Sequence, residues 1–63
     1  MLVKEIYIIY LTNEEGKTEE IEFTSLDEAE YAYNLYKNDD FFTDLRLTSY
    51  NFETRKEKEI RKS

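Results

Sequence analysis

Ile6-Tyr7-Ile8-Ile9-Tyr10-Leu11-Thr12-Asn13-Glu14-Glu15-Gly16-Lys17-Thr18-Glu19-Glu20-Ile21-Glu22-Phe23 is the stretch that decides the fold. Residues 2–12 are rich in Ile, Tyr and Leu and predict a strand. Thr18 to Phe23 alternates Glu19, Ile21 and Phe23 against Glu20 and Glu22, the pattern of a strand with one wet face. Between them, Asn13 suits the first position of a turn. Gly16, the only glycine, stands where a left-handed residue closes a type I turn with a G1 bulge. That turn pairs Asn13 with Lys17, and so sets Ile9 opposite Ile21 and Tyr7 opposite Phe23. A two- or four-residue loop would instead exchange the two faces of the first strand.

The rest of the chain reads outward from this hairpin. Ser25-Leu26-Asp27-Glu28 matches a capping box, in which the Ser hydroxyl takes an orphan helix N–H and Glu28 reaches back. The helix is predicted from Leu26 to about Lys37, with Asn38 in a left-handed exit. Asp39 to Thr43 reads as a loop and Leu45 to Phe52 as a third strand. A right-handed return from the helix places that strand beside the first. The expectation is an α+β fold: a single ββαβ domain over residues 1–54, with a three-stranded antiparallel sheet of order 2-1-3. One helix covers one face, and a short basic C-terminal tail spans residues 55–63. The tail either extends the third strand or forms a short helix, which Glu57 and Arg61 at i,i+4 support weakly.

Composition removes most chemistry. The 63 residues include no His and no Cys, so a His-based triad, a Cys nucleophile and a thiolate zinc site are excluded. One glycine rules out a glycine-rich phosphate loop. Asp39, Asp40 and Asp44 lack the ligand spacing of an EF-hand and read as a solvated loop. The chain is therefore expected to be no enzyme and to hold no metal or cofactor. Missing cysteine fits a cytoplasmic location. No apolar run approaches the roughly 18 residues of a membrane span, and no signal peptide is legible at the start. Residues 1–54 carry thirteen acids and four bases, net −9, whereas residues 55–63 carry five bases and two acids, net +3. The acidic body is not expected to bind nucleic acid directly, because phosphates bind basic surfaces.

One helix covers one face of a sheet, yet the first strand is apolar on both. The core is assigned to Tyr7, Ile9, Leu11, Ile21, Phe23, Leu45 and Leu47. The open face then carries Ile6, Ile8, Tyr10, Glu20, Glu22, Arg46, Thr48, Tyr50 and Phe52. Either this face meets a partner or a second copy, or the tail folds back and Phe52 and Ile60 cap it. On the helix, Leu26, Ala29, Ala32, Tyr33 and Tyr36 form the stripe facing the sheet, while Tyr31 and Leu35 lie on the far side. Tyr offers large contact area and a polar handle. Glu20 and Glu22 either protect an edge strand from aggregation or imitate the phosphates of nucleic acid before a basic groove. The candidate partner-binding residues are Ile8, Tyr10, Glu20, Glu22, Tyr31, Leu35, Tyr50 and Phe52.

The Tyr/Ile strand, the turn Asn13-Glu14-Glu15-Gly16-Lys17, the helix Ser25-Leu26-Asp27-Glu28-Ala29-Glu30-Tyr31-Ala32-Tyr33 and the exit Asn38-Asp39-Asp40 give residues 1–52 a likeness of style. They resemble the small acidic ββαβ proteins of bacteriophages and mobile elements of low-GC bacteria. Members with known roles are often inhibitors of host defence, anti-CRISPR proteins among them, that bind an effector stoichiometrically. The resemblance carries over no functional residue, and Tyr31 and Leu35 depart from it. It implies a non-catalytic inhibitor of a host defence or nucleic-acid-processing protein, acting by steric occlusion or phosphate mimicry. The alternatives are a homodimeric accessory protein and a tail-dependent adaptor of nucleic acid or membrane.

Overall fold

In the computed structural model, which describes residues 4–62, the elements are β1 (Glu5–Asn13), β2 (Thr18–Phe23), α1 (Leu26–Lys37), β3 (Phe42–Asn51) and β4 (Lys56–Lys62). They form one antiparallel sheet of order β2-β1-β3-β4 with α1 on one face. Leu2 and Val3 of the expected first strand, and Ser63 of the expected tail, lie outside the described residues.

The first hairpin follows its turn chemistry. Gly16 sits at φ 85° and its N–H meets the Asn13 carbonyl at 2.9 Å. The Asn13 N–H donates to the Lys17 carbonyl, also at 2.9 Å. Asn13 Oδ1 accepts the N–H groups of Glu15 and Lys17 at 2.9 and 3.0 Å, so one side chain organises the turn. The resulting register places Tyr7 opposite Phe23 and Ile9 opposite Ile21. On the helix side Ile9, Leu11, Leu45 and Leu47 pack with Ala29 and Tyr33 into the buried core, flanked by Tyr7, Ile21, Phe23, Ala32, Tyr36 and Phe42. Leu26 begins the same helical stripe but stays 37% exposed, because it lies at the margin of the sheet.

Three expectations change. The sheet has four strands, not three: residues 56–62, expected as a tail, pair antiparallel with β3. The reversal is built by Asn51, whose Oδ1 accepts the N–H groups of Glu53 and Thr54 at 2.8 and 3.1 Å. The Arg55 N–H donates to the Asn51 carbonyl at 2.8 Å, and Arg55 itself adopts φ 57°. A left-handed residue closes this turn too, but without the glycine that announces such turns in a sequence. β4 also lacks an apolar alternation, because every one of its residues is exposed. The return of the tail over the open face is likewise overturned. A bulge between Leu47 and Thr48 leaves Ile60 without a direct partner in the ladder, and Ile60 lies beside Tyr7 and Leu26 on the helix side.

The second change concerns the helix ends. Ser25 holds the extended N-cap backbone, φ −120° and ψ 131°, and its carbonyl accepts the Ala29 N–H at 3.0 Å, yet its side chain makes no cap hydrogen bond. Asp27 and Glu28 still meet the positive end of the helix dipole. At the other end Asn38 is right-handed, φ −85° and ψ −1°. A left-handed exit is unnecessary because Asp39 turns the chain: its N–H reaches the Tyr36 carbonyl at 3.0 Å and its Oδ1 accepts the Phe41 N–H at 3.0 Å. Third, β3 starts at Phe42 rather than Leu45, since β1 continues to offer ladder positions as far as Asn13.

The left-handed Arg55 carries a testable cost. A non-glycine residue there is strained by about 1 kcal/mol, partly offset by the extra unfolded-state entropy of glycine. Arg55→Gly is expected to raise stability by about 0.5 kcal/mol and Arg55→Val to lower it, read as shifts of the urea midpoint. If both variants shift it alike, the φ 57° turn is wrong.

Candidate binding surface on the open sheet face

Antiparallel pairing arranges the uncovered face in rows. Glu20, Tyr10, Arg46 and Lys62 form one row across the four strands, and Glu22, Ile8, Thr48 and Glu59 the next. Ile6, Tyr50 and Glu57 form the third. Phe52 follows at the end of β3, its ring edge-on to Tyr50 with centroids 5.3 Å apart. The face is thus polar and charged at the Tyr10 end and aromatic at the Phe52 end.

A hydrogen-bonded cluster fixes the polar end. The Tyr10 hydroxyl donates to Glu57 Oε2 at 2.7 Å, and the Thr48 hydroxyl donates to the same oxygen at 2.6 Å. Thr48 is buried, so this bond satisfies a group that has lost access to water. The Arg46 guanidinium lies 5.4 Å from the centroid of the Tyr10 ring, within cation–π range. Tyr10, Arg46, Thr48, Glu57 and Glu59 together line an open depression of about 420 Å³.

These contacts move two pKa values. The Thr48 hydroxyl, then the Tyr10 hydroxyl, hold the Glu57 carboxyl below its ordinary value, helped by Arg46 and against the cost of burial. The bond to Glu57 is the main reason that the Tyr10 phenol lies above its ordinary value, with burial adding to it. A lowered carboxyl stabilises the fold above its unfolded pKa and loses that contribution as pH falls through the folded value. A raised phenol stabilises the fold below its unfolded pKa and loses it as pH rises through the folded value. The cluster therefore contributes fully between about pH 5.5 and pH 9 and fades on both sides. Glu57→Gln is expected to cost about 1 kcal/mol at pH 7. The difference from the parent protein should shrink as pH falls through the lowered Glu57 value, below which both side chains are neutral. A difference that stays constant from pH 7 to pH 3 would show that the charge of Glu57 is not what the cluster uses.

Of the residues singled out from sequence, Ile8, Tyr10, Glu20, Glu22 and Tyr50 share this face and Phe52 borders it. Their availability differs. Glu20 and Glu22 are exposed, Tyr10 and Tyr50 are half-buried, and Phe52 is 48% exposed. Ile8 is only 9% exposed, because it lies mid-strand between Glu22 and Thr48, with Tyr10 next on the same face of β1 and Tyr50 and Arg46 diagonal to it on β3. It is floor rather than contact surface. Tyr31 and Leu35 are 69% and 58% exposed, but they lie on the outer side of α1, on the opposite layer of the molecule. A rigid partner seated on the sheet face does not touch them. Sequence reading missed Glu57, the acceptor that organises the cluster, because nothing local shows that residue 57 folds back beside Thr48 and Tyr10.

Among the described residues, no group of acidic side chains is arranged to hold a metal ion, and no helix is long and apolar enough to cross a membrane. No protein family, curated protein or solved structure matches this chain.

Proposed function

We propose that this chain is a non-catalytic protein-binding inhibitor that seats its open sheet face on a basic surface of its partner. The observation that carries the reading is the make-up of that face: exposed Glu20, Glu22 and Glu59 toward the Tyr10 end and the half-exposed ring of Phe52 at the other. Carboxylates at alternate positions of a strand project in the same direction and compete for the Lys and Arg groups that hold phosphates. The Tyr50–Phe52 pair supplies an aromatic anchor of the kind enriched where binding energy concentrates. A partner with such a basic surface is a nucleic-acid-processing or defence protein, and covering the surface blocks its use. The absence of cysteine suits action in a reducing cytoplasm.

A second copy is a weaker occupant of this face. Stacking two open faces brings Glu20, Glu22, Glu57 and Glu59 of both copies together, against Arg46 and Lys62 on each. An adaptor that works through a free basic tail loses its premise, because residues 56–62 are a strand of the sheet.

Photo-crosslinking in the native cell tests the proposal. A crosslinking amino acid at position 52 should capture one protein, and the same residue at position 31 should not. Glu20→Lys with Glu22→Lys should weaken complex formation at least about tenfold, as two lost ion pairs at a desolvated contact would. Capture at position 31 alone, or binding indifferent to the charge reversal, sinks the sheet-face reading.

A further inference from the structure

The helix side of β4 is a basic strip on an acidic protein. Lys56, Lys58 and Arg61 pair with Asn51, Ser49 and Leu47 and share the side occupied by α1, whereas Glu57, Glu59 and Lys62 take the open side. α1 packs on β1, β2 and β3 but stops short of β4, reaching it through the ion pair of Glu30 with Arg61 Nη2 at 2.9 Å. What remains between the first turn of α1 and β4 is an open groove of about 500 Å³. Tyr7, Ser49 and Lys58 line it with the carboxylates Glu5 and Glu59, and Leu26 and Ile60, each 37% exposed, add apolar surface, so the groove itself suits an apolar side chain and the positive charge lies along β4 at Lys56 and Lys58. Lys56 and Lys58 carry no ion pair among the described residues.

Among the described residues β4 is also an end of the sheet, and its outward N–H and C=O groups face no neighbouring strand there. A strand laid along such an edge gains main-chain hydrogen bonds, and alternate side chains set its specificity. The other free edge, β2, is a poor candidate for that place. Continuing the sheet with β2 of a second copy, antiparallel and with faces matched, lays the Glu20 and Glu22 side on the side of Glu57 and Glu59. Like charges opposite one another are unfavourable.

We propose that β4 and its groove receive an extended acidic segment of a partner protein as a fifth strand. Its acidic residues stand at alternate positions on the helix side, opposite Lys56 and Lys58, and an apolar residue on that side enters the groove against Leu26 and Ile60. Its intervening residues, opposite Glu57 and Glu59, are neutral or basic. This surface is separate from the open face and binds the opposite charge.

The test uses two seven-residue peptides, one alternating Glu and Thr and the other alternating Lys and Thr, titrated into the isotope-labelled protein. The Glu peptide is expected to shift the amide signals of β4 and to slow hydrogen exchange at its outward N–H groups. Lys56→Glu with Lys58→Glu should weaken it at least about tenfold and bring in the Lys peptide instead. Both positions are exposed, so an unchanged circular dichroism spectrum is expected for the variant. A Glu peptide N-methylated at alternate residues should not bind. The proposal is overturned if millimolar Glu peptide shifts nothing, or if the shifts fall on β2 or the open face. It is overturned equally if both peptides bind alike or the charge swap has no effect. Binding of phosphatidylglycerol vesicles without binding of the Glu peptide would assign the strip to a lipid surface and overturn it as well.

Discussion

Leu47→Ala is expected to cost about 3 kcal/mol, within the range for emptying a fully buried leucine site. Leu47 is 0% exposed and lies in the core with Ile9, Leu11, Leu45, Ala29 and Tyr33. A domain of 63 residues has a stability of about 3–9 kcal/mol, at about 0.05–0.15 kcal/mol per residue. The one substitution therefore removes a third or more of it. Disulfides are impossible in a chain without cysteine, so covalent cross-links cannot make up the loss. Urea unfolding followed by circular dichroism measures the change. Leu26→Ala is the internal comparison: at 37% exposure it should cost less than about 1.5 kcal/mol. Equal costs at the two positions would mean that the core does not lie where the register puts it.

A chain ending at Arg55 is expected to lose cooperative folding. The deletion takes away β4 and with it Glu57, the acceptor of both the Thr48 and Tyr10 hydroxyls. Thr48 loses that acceptor and the strand beside it, so its methyl and hydroxyl are both returned to water. β3 becomes an edge, its ladder groups on that side are unpaired, and Leu47 loses its neighbour Arg61. The ion pair that joins Glu30 of α1 to Arg61 is lost too, though at the surface its share is small. A domain of this size has only about 3–9 kcal/mol to lose. Dispersion of the amide proton spectrum should collapse, and light scattering should report association. A truncated protein that melts at the parent temperature would mean that residues 56–62 hang free of the sheet. Because truncation removes a strand, it cannot serve as a clean test of binding by the basic residues. Single charge reversals at Lys56 and Lys58 can.

The candidate surface was half legible before the structure. Tyr10, Tyr50, Glu20 and Glu22 follow from strand periodicity once the hairpin register is known, because residues two apart share a face. The same logic offered Ile8 as a contact residue and was misled. Periodicity gives a side chain its direction but not its cover, and Ile8 is covered by larger neighbours from β1 and β3. Glu57 and the basic strip of β4 were invisible for another reason. Lys56 to Lys62 is exposed on both sides, so selection for burial leaves no alternating pattern in it. What makes it a strand is the ladder to β3, a contact set by Asn51 and the left-handed Arg55 and by the free edge that β3 presents.

The sequence by itself determined the first hairpin, the limits of the helix at Leu26 and Lys37, and that β1 is apolar on both faces; it favoured one register through Asn13 and Gly16, and the structure chose that register over the one that exchanges the faces. Each rests on local chemistry: an asparagine and a glycine at fixed offsets, a helical stripe, a period of two. Only the tertiary structure decided that the sheet has a fourth strand, that Ser25 starts the helix without a side-chain cap, and that Tyr10, Thr48 and Glu57 meet. Those outcomes depend on which groups are left unpaired once the other elements have packed, and such long-range satisfaction writes no local pattern into the chain.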